Sequence, residues 1–341
     1  MKLIKPLPLL LVLVVLVSCI PVPPFVIPTP TPFLRAFSQT SIATSNPEDI
    51  KLRTVIEDFG VNDLVIGGDG SLWLLGGGKI TDHKYSLVNL KNGKTTVYKI
   101  SGDIFCGSDT ADFSNLVADG KGVIWFSTSC TIYKCDGMNW TTYSQRDVFF
   151  YPTIALDYTG NLWIGNEFGD VFRFDGKNWL SYKKNNGTQL ASVESIIAGS
   201  DGAVWFGGDG GIAQFNGAKW TTFRKQDNQG RDIFVREMVK TKDNSFWVIN
   251  FRGNPTVLEF NGEEWMAIDG FSKNIHTLYI DSKGNFWFGG KGRIFYFNGN
   301  WSELLIPSKL EPYEPMVFAI VETSDGTIWF ATPDGLFSTI N

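Results

Sequence analysis

A tryptophan flanked by hydrophobic residues recurs seven times along the 341-residue chain, at Trp73, Trp125, Trp163, Trp205, Trp247, Trp287 and Trp329. The intervals between them are 52, 38, 42, 42, 40 and 42 residues. A near-constant period of this length indicates a stack or ring of one repeated structural unit. The segments between turns are short apolar runs rich in Val, Ile, Phe and Thr, without the spacing of an amphipathic helix. They are therefore predicted to be strands.

A tight turn precedes each of these tryptophans. Three residues before each lies a glycine or, once, an asparagine: Gly70, Gly122, Gly160, Gly202, Asn244, Gly284 and Gly326. Glycine, and less easily asparagine, adopts the positive φ that a tight hairpin turn requires. A second turn of Asp-Gly or Asn-Gly type leads into a further tryptophan in five units, where its glycines are Gly137, Gly176, Gly217, Gly262 and Gly299. Each unit is therefore predicted to contain two hairpins.

Two hairpins make four antiparallel strands, named A to D here in chain order. Four such strands in a repeat of about 40 residues form one blade of a β-propeller. The predicted fold is all-β, a seven-bladed β-propeller of four-stranded antiparallel blades. The last unit ends in its strand C at residues 336–340, and residues 52–57 form a spare strand before the first blade. We predict that this N-terminal strand completes the last blade and closes the ring, which covers both free edges.

The repeat itself resembles a known family. The segments DYTGNLWIG at 157–165 and FDGKNW at 174–179 are similar to the two-component regulator propeller repeat, and the likeness extends over residues 52–341. This family includes periplasmic sensor regions of hybrid histidine kinases and stand-alone secreted propellers. The resemblance implies the propeller fold. Because the signature residues are turns and packing positions, it leaves the function open.

The N-terminus has the pattern of an export signal. Lys2 and Lys5 precede the apolar run at 7–17, which is short for a membrane span. The run ends in LVSC at 16–19, which resembles a bacterial lipobox and implies cleavage before Cys19 and acylation of that residue. An ordinary signal peptide or an uncleaved signal anchor are the alternatives. We predict an exported protein that is lipid-anchored on the outer side of the cytoplasmic membrane or at the outer membrane.

A proline-rich segment and then a Ser/Thr-rich segment follow the lipobox, and this composition favours an extended, solvated tether. The predicted organisation is a lipoprotein signal peptide at 1–18, a tether at 19–49 and the propeller at 50–341. The formal net charge of -5 provides no basic surface, so nucleic acid is not an expected partner.

Three cysteines follow Cys19, and export would permit a disulfide. Cys135 occupies a repeat position that is phenylalanine in other blades, so it is predicted to be buried and reduced. Cys106 and Cys130 both belong to loops on one face of the propeller, which predicts a Cys106–Cys130 disulfide. Three free thiols remain the alternative. The Cys130-x4-Cys135 spacing lacks a second ligand pair, so no metal site is predicted.

The loops between strands B and C and the connections between blades share one face, called the loop face below. It carries the candidate ligand-binding residues Glu167, Phe168, Asp209, Phe251, Arg252, Lys291, Arg236 and His276. Aromatic rings beside hydrogen-bonding groups suit a glycan, peptide or protein ligand, because rigid rings provide contact area at low entropic cost. Solvated loop residues without a ligand are the alternative for any one of them.

The sequence gives little support for catalysis. Its two histidines, His83 and His276, lie in different units, so no repeated histidine ring is available for a metal, and no cofactor-binding pattern is present. We therefore predict a membrane-tethered, extracytoplasmic module that binds a ligand or protein, with no catalytic residues and no cofactor. The alternative is a polysaccharide-directed hydrolase or lyase that uses loop carboxylates such as Glu167 and Asp209 as acid and base.

Overall fold

The computed structural model describes the backbone at 15–18 and 39–41 and residues 50–57, 59–78, 85–100, 115–128, 131–137, 139–144, 152–253, 256–268, 275–298, 301–307 and 314–340. The described strands form seven antiparallel sheets, each built around one of the seven tryptophan units. The helical element in this part of the chain is a single 3-10 turn, Lys184–Asn186. The predicted all-β, seven-bladed propeller is confirmed.

The strands follow one another in the order A to D within each blade. Blades 1 to 3 contain Gly60–Ile66, Leu72–Gly77, Tyr85–Lys91 and Lys94–Lys99; Leu116–Ala118, Ile124–Ser127, Thr131–Cys135 and Asn139–Ser144; Thr153–Leu156, Leu162–Gly165, Val171–Phe174 and Trp179–Tyr182. Blades 4 to 6 contain Ser195–Ala198, Val204–Gly208, Gly211–Phe215 and Trp220–Arg224; Val235–Lys240, Phe246–Asn250, Val257–Phe260 and Trp265–Ile268; Ile275–Ile280, Phe286–Gly290, Arg293–Phe297 and Trp301–Leu305. Blade 7 contains Ala319–Glu322, Ile328–Thr332, Gly335–Ile340 and, as its strand D, Lys51–Glu57.

The closing strand pairs as predicted. Lys51–Glu57 runs antiparallel to Gly335–Ile340, with Lys51 opposite Ile340 and Glu57 opposite Gly335. Leu52 is 1% exposed and packs with Phe330 and Phe337 in the core of the last blade. The first and last segments of the propeller are thus held together by strand pairing, with no covalent bond required.

Two short segments add a fifth strand at the outside of a blade. Gln39–Ser41 pairs with the closing strand Lys51–Glu57, and Val15–Ser18 pairs with Asn139–Ser144, which is strand D of blade 2. Val15–Ser18 lies within the predicted export signal. Cleavage before Cys19 would remove it and leave Asn139–Ser144 as the outer strand of blade 2.

The turns before the tryptophans have the predicted backbone conformation. All seven residues three positions ahead of a strand B tryptophan have positive φ, from 69° at Asn244 to 94° at Gly122. The tryptophan that follows packs against the next blade. The ring centroids of Trp163 and Phe206 are 5.8 Å apart, and those of Trp205 and Phe246 are 4.6 Å apart. The core therefore lies between blades, and each strand B tryptophan fills one such interface.

Cys135 is fully buried at the end of strand C of blade 2, opposite Ile124. It takes the apolar position predicted for it, which Phe174 occupies in blade 3 opposite Leu162. Cys19, Cys106 and Cys130 lie outside the described residues, so the lipidation and disulfide predictions concern parts of the chain that the structure does not describe. Within the described ranges, no helix has the length and apolarity needed to cross a membrane.

Candidate functional site at the mouth of the axial channel

The innermost strands of the blades surround a central axis. Each strand A contacts the strand A of the next blade, all the way from blade 1 to blade 7 and back to blade 1. The strands therefore enclose an axial channel that opens on the loop face. Residues on strand A reach this channel, while the loops between strands B and C form its rim.

One position of strand A is polar in nearly every blade. In blade 1, Leu64 on strand A pairs with Leu74, which directly follows the tryptophan of strand B. The polar position is the residue just before Leu64, which is Asp63, and the equivalent residue in the other blades. We call these residues the polar ring: Asp63, Asn115, Thr153, Ser195, Glu237, Thr277 and, as the apolar exception, Ala319. Two of its members are carboxylic acids, in blades 1 and 5.

The polar ring forms hydrogen bonds between neighbouring blades at four of the seven junctions. The pairs are Leu116 N to Asp63 Oδ2 at 2.6 Å, Ile154 N to Asn115 Oδ1 at 3.4 Å, Met238 N to Ser195 Oγ at 3.3 Å and Thr277 Oγ1 to Glu237 Oε1 at 3.2 Å. In the first three pairs, the polar-ring side chain of one blade accepts a hydrogen bond from a backbone N–H of the next blade. That N–H belongs to the residue directly after the polar-ring position. These bonds fix the relative rotation of neighbouring inner strands, so the channel wall is a rigid support.

Enclosure by the channel wall weakens both acids of the polar ring. Burial raises the pKa of Asp63 to about 7 and that of Glu237 to about 8. The charge of Asp63 raises the pKa of Glu237 further, although blades 1 and 5 are not adjacent. The two carboxyl groups are therefore within electrostatic range of each other across the ring. Each side chain remains partly accessible along the channel, so both groups exchange protons near neutral pH.

The strand A residue immediately before the polar ring lies at the mouth of the channel. In blades 1, 5 and 6 it is inserted as a β-bulge, at Asn62, Arg236 and His276, where the pairing register shifts by one residue. A bulge redirects a side chain and is common beside functional sites. In blade 4 the same position holds Glu194, and in blade 7 it holds Phe318, which is 38% exposed. Two predicted residues, Arg236 and His276, are therefore at the mouth itself.

A second group of predicted residues joins the loops of blades 4 and 5. The guanidinium of Arg252 donates to both carboxylate oxygens of Asp209, with Nη1–Oδ1 at 2.7 Å and Nη2–Oδ2 at 3.1 Å. It also donates to the carbonyl oxygen of Asp232 and lies 5.7 Å from the ring centroid of Phe234. The hydrogen bond from Arg252 to Asp209 raises the pKa of Arg252. Asp209 is thus held in an ion pair, which suits it to positioning rather than to proton transfer.

Phe251 connects these loops to the mouth. Its side chain is 57% exposed, its ring centroid is 5.7 Å from that of Phe234, and the guanidinium of Arg236 lies 5.4 Å from the ring centroid. A cleft of about 440 Å³ adjoins this group, lined by Asp209, Gln226, Gly230, Arg231, Asp232 and Arg252. The exposed ring therefore has a cation against it and a polar cleft nearby.

His276 is neutral at physiological pH. Burial lowers the pKa of its imidazole to about 4, and the nearby charge of Arg236 lowers that pKa in the same direction. Its Nδ1 atom is buried without a hydrogen-bond partner among the described residues. A buried polar atom of this kind is costly unless a further group satisfies it.

Glu167 lies within electrostatic range of a second carboxylate, Glu194, on the neighbouring blade. Burial raises the pKa of Glu167, and the negative charge of Glu194 raises it further. The mouth therefore has an acidic side in blades 3 and 4, a guanidinium at Arg236 in blade 5 and a neutral imidazole at His276 in blade 6. Phe168, beside Glu167, is 50% exposed, and Lys291 is exposed on the blade 6 loop, where its backbone bridges to Met316.

The structure brings Glu167, Arg236, His276, Phe251, Asp209 and Arg252 to one side of the mouth, while Phe168 and Lys291 remain toward the rim. Sequence reasoning missed Asp63, Glu237 and Glu194. The signal for the first two was an acidic residue inside an inner strand, in GVNDLVI at 60–66 and VREMVK at 235–240. Within the described part of the chain, no group of three or more His, Cys, Asp or Glu side chains is placed to hold a metal ion.

Comparison with known families agrees with the repeat geometry. The family model described as two component regulator propeller matches residues 269–292 and 312–334, which span strands of blades 6 and 7. These two segments are similar to the two-component regulator propeller repeat. No curated protein has a sequence that matches this chain.

Solved structures with the same fold come from proteins of several kinds. A streptogramin B lyase is 19% identical, with a TM-score of 0.66 over 89% of this chain and 97% of its own. The extracellular domain of a putative hybrid two-component system from B. thetaiotaomicron is 15% identical, with a TM-score of 0.62 over 84% of this chain and 40% of its own. YCF48 bound to D1 peptide is 13% identical, with a TM-score of 0.60 over 89% of this chain and 97% of its own. At these identities the likeness establishes the fold alone.

Proposed function

We propose that this protein is an extracytoplasmic binding module that holds a ligand at the channel mouth and performs no catalysis. The observation that carries the proposal is the exposed ring of Phe251, which lies against Arg236 beside the ion pair of Arg252 and Asp209. A solvent-exposed aromatic ring with hydrogen-bonding groups around it is the usual composition of a recognition surface. The rigid polar ring beneath it reduces the entropy lost on binding.

The relatives in fold support binding on the same architecture. One is an extracellular domain of a putative hybrid two-component system, and another has been solved bound to a peptide. Lys2, Lys5, the apolar run at 7–17 and Cys19 support export and lipid anchoring of the present chain. The proposal therefore places the loop face outside the cytoplasmic membrane, where it meets a glycan, peptide or protein.

An array of oligosaccharides and short synthetic peptides tests the binding function. The full chain is applied alongside Phe251→Ala and a control, Tyr158→Ala, in which an aromatic side chain that is 70% exposed is removed from a turn on the opposite face. We expect Phe251→Ala to lose at least about tenfold in affinity, as for removal of a binding-site aromatic residue, and Tyr158→Ala to match the wild type. Equal binding by all three proteins would contradict a site at the mouth.

Catalysis by channel carboxylates is the second candidate, because the fold is shared with a streptogramin B lyase and the pKa values of Asp63 and Glu237 lie near neutrality. Such values suit proton transfer better than the ion-paired Asp209 does. Bound array ligands recovered chemically unchanged after prolonged incubation would support the non-catalytic proposal. Turnover that Glu237→Gln abolishes while binding persists would establish the second candidate instead.

A further inference from the structure

Four charged or polar side chains follow one another around the mouth, in consecutive blades. We call this set the mouth crescent: Glu167 in blade 3, Glu194 in blade 4, Arg236 in blade 5 and His276 in blade 6. Glu194, Arg236 and His276 occupy the same repeat position, immediately before the polar ring, and the inner strands of these blades contact one another. Two carboxylates, one guanidinium and a neutral imidazole therefore follow one another around one opening.

The two carboxylates of the mouth crescent, Glu167 and Glu194, repel each other. The charge of Glu194 raises the pKa of Glu167, in addition to the larger effect of burial. Neither carboxylate forms an ion pair with any of the described residues. Both residues are partly buried on neighbouring blades whose inner strands are in contact, so a cationic group beside them would relieve both the repulsion and the desolvation.

The other half of the mouth crescent contains one cation, Arg236, whose charge acts on the neighbouring carboxyl group of Glu237. Arg252 in the same blade is bound on both carboxylate oxygens of Asp209, whereas Arg236 has no carboxylate partner among the described residues and lies over Phe251. A guanidinium presents a planar fork of donors that matches a carboxylate. His276 lies within electrostatic range of Arg236 and has a buried Nδ1 atom that lacks a partner in the described structure.

Resting on the proposed binding function, we infer that the mouth crescent recognises a zwitterion, an amino acid or short peptide with a free ammonium and a free carboxylate. The ammonium lies between Glu167 and Glu194. The carboxylate lies on Arg236 and within reach of His276, and an apolar portion packs on Phe251. A neutral glycan would leave the carboxylates and the guanidinium without charged partners. A polyanion would be repelled by Glu167 and Glu194, so the mouth crescent selects against neutral glycans and polyanions.

The test uses the 20 amino acids and a library of dipeptides with free termini, measured by thermal shift and then by calorimetry. The best binder is remade with an acetylated amine, with an amidated carboxylate and with both changes. In the wild type we expect each block to weaken binding at least about tenfold, the usual effect of losing one charge-assisted hydrogen bond. The amino-acid and dipeptide arms distinguish a free amino acid from a peptide as the source of the zwitterion.

Two variants make the assignment specific. For the Glu194→Gln variant, acetylating the ligand amine should reduce the affinity little further. For the Arg236→Gln variant, amidating the ligand carboxylate should reduce the affinity little further. Glu263→Gln, which changes an exposed carboxylate in a turn on the opposite face, is the control and should retain both penalties. Thermal midpoints check that each variant is folded, and Arg236→Met, which also removes the charge, replaces Arg236→Gln if the latter is unstable.

The outcomes separate this inference from the proposed function. If blocked and free ligands bind equally well, or if the array yields only neutral glycans that need Phe251, the zwitterion is wrong and the binding site stands. If blocking weakens binding equally in wild type and both variants, the mouth crescent is not the recognition site. If no amino acid, dipeptide or array ligand binds at all, the proposed binding function itself fails.

Discussion

Individual tryptophans of the repeat share a register but differ in how their indole N–H is satisfied. Trp163 Nε1 donates to Asp157 Oδ2 at 2.9 Å, six residues earlier in the A–B turn. The residue six positions before Trp205 is Gly199, and Trp205 Nε1 is buried without a partner among the described residues. The strand B tryptophan therefore stabilises blade 3 more than blade 4, because an unpaired buried N–H donor costs free energy.

Removing Trp163 should destabilise the protein strongly. Trp163 is 2% exposed, packs between blades 3 and 4 and anchors the turn through Asp157. We expect Trp163→Ala to lower the free energy of unfolding by about 3 to 5 kcal/mol, measured by urea denaturation. Trp301→Ala is the control, because that indole is 36% exposed on an outer strand and its loss should cost about 1 kcal/mol. Equal losses in the two variants would contradict inter-blade packing as the role of the repeated tryptophan.

At the scale of the element, strand A combines structural and functional positions. Alternate residues such as Leu64 and Leu278 enter the inter-blade cores, while Asp63 and Glu237 belong to the polar ring. The raised pKa of each carboxyl group means that the folded state favours its protonated form. These groups contribute fully to the unfolding free energy below the unfolded-state pKa of about 4. The contribution is lost as pH rises through the folded-state pKa values of about 7 and 8.

Glu237→Gln should therefore change the pH dependence of stability. The amide cannot ionise, so the variant escapes the loss that the wild type undergoes between about pH 4 and pH 8. Between about pH 4 and pH 8 we expect the wild type to lose ~2 kcal/mol more unfolding free energy than the variant. This figure is reduced from the full effect of the pKa shift because solvent in the channel partly screens the charge. Glu263→Gln, on an exposed turn, should leave the profile unchanged. Parallel profiles for wild type and Glu237→Gln would show that Glu237 titrates normally.

Much of this element structure was predictable. The glycine or asparagine three residues before each tryptophan predicted the A–B turn, and the spare N-terminal strand predicted the closure with Gly335–Ile340. The inner strands were predicted as strands, yet their bulges were not, because one inserted residue at Arg236 or His276 leaves the apolar pattern on either side intact. The candidate binding residues were sought in the loops, whereas the carboxylates of the polar ring became visible only once the seven strands were arranged around an axis.

At the scale of the whole molecule, closure of the ring lets the blades act as one rigid support for the loop face. The closing strand buries Leu52 in the last blade, and the polar ring links neighbouring inner strands. Function is then set by which side chains the blades present at the mouth. The carboxylates and the guanidinium of the mouth crescent are contributed by separate blades, so this arrangement depends on the complete ring.

The predicted tether concerns the same scale, because it sets where the propeller acts. Cys19→Ser should abolish lipidation, so that the protein moves from the membrane fraction to the soluble fraction after cell fractionation. Ser18→Ala keeps a small residue before the cysteine and should remain membrane-bound. Mass spectrometry of the mature N-terminus completes the test. An unmodified N-terminus, or processing at another position, would contradict the lipoprotein assignment.

Determining the structure of the protein crystallised with its tightest-binding array or dipeptide ligand tests the central claim most directly. The account predicts ligand density at the channel mouth on the loop face, in contact with Phe251 and Arg236 and chemically intact. Density confined to the outer strands or to the opposite face, with the mouth empty, would contradict it.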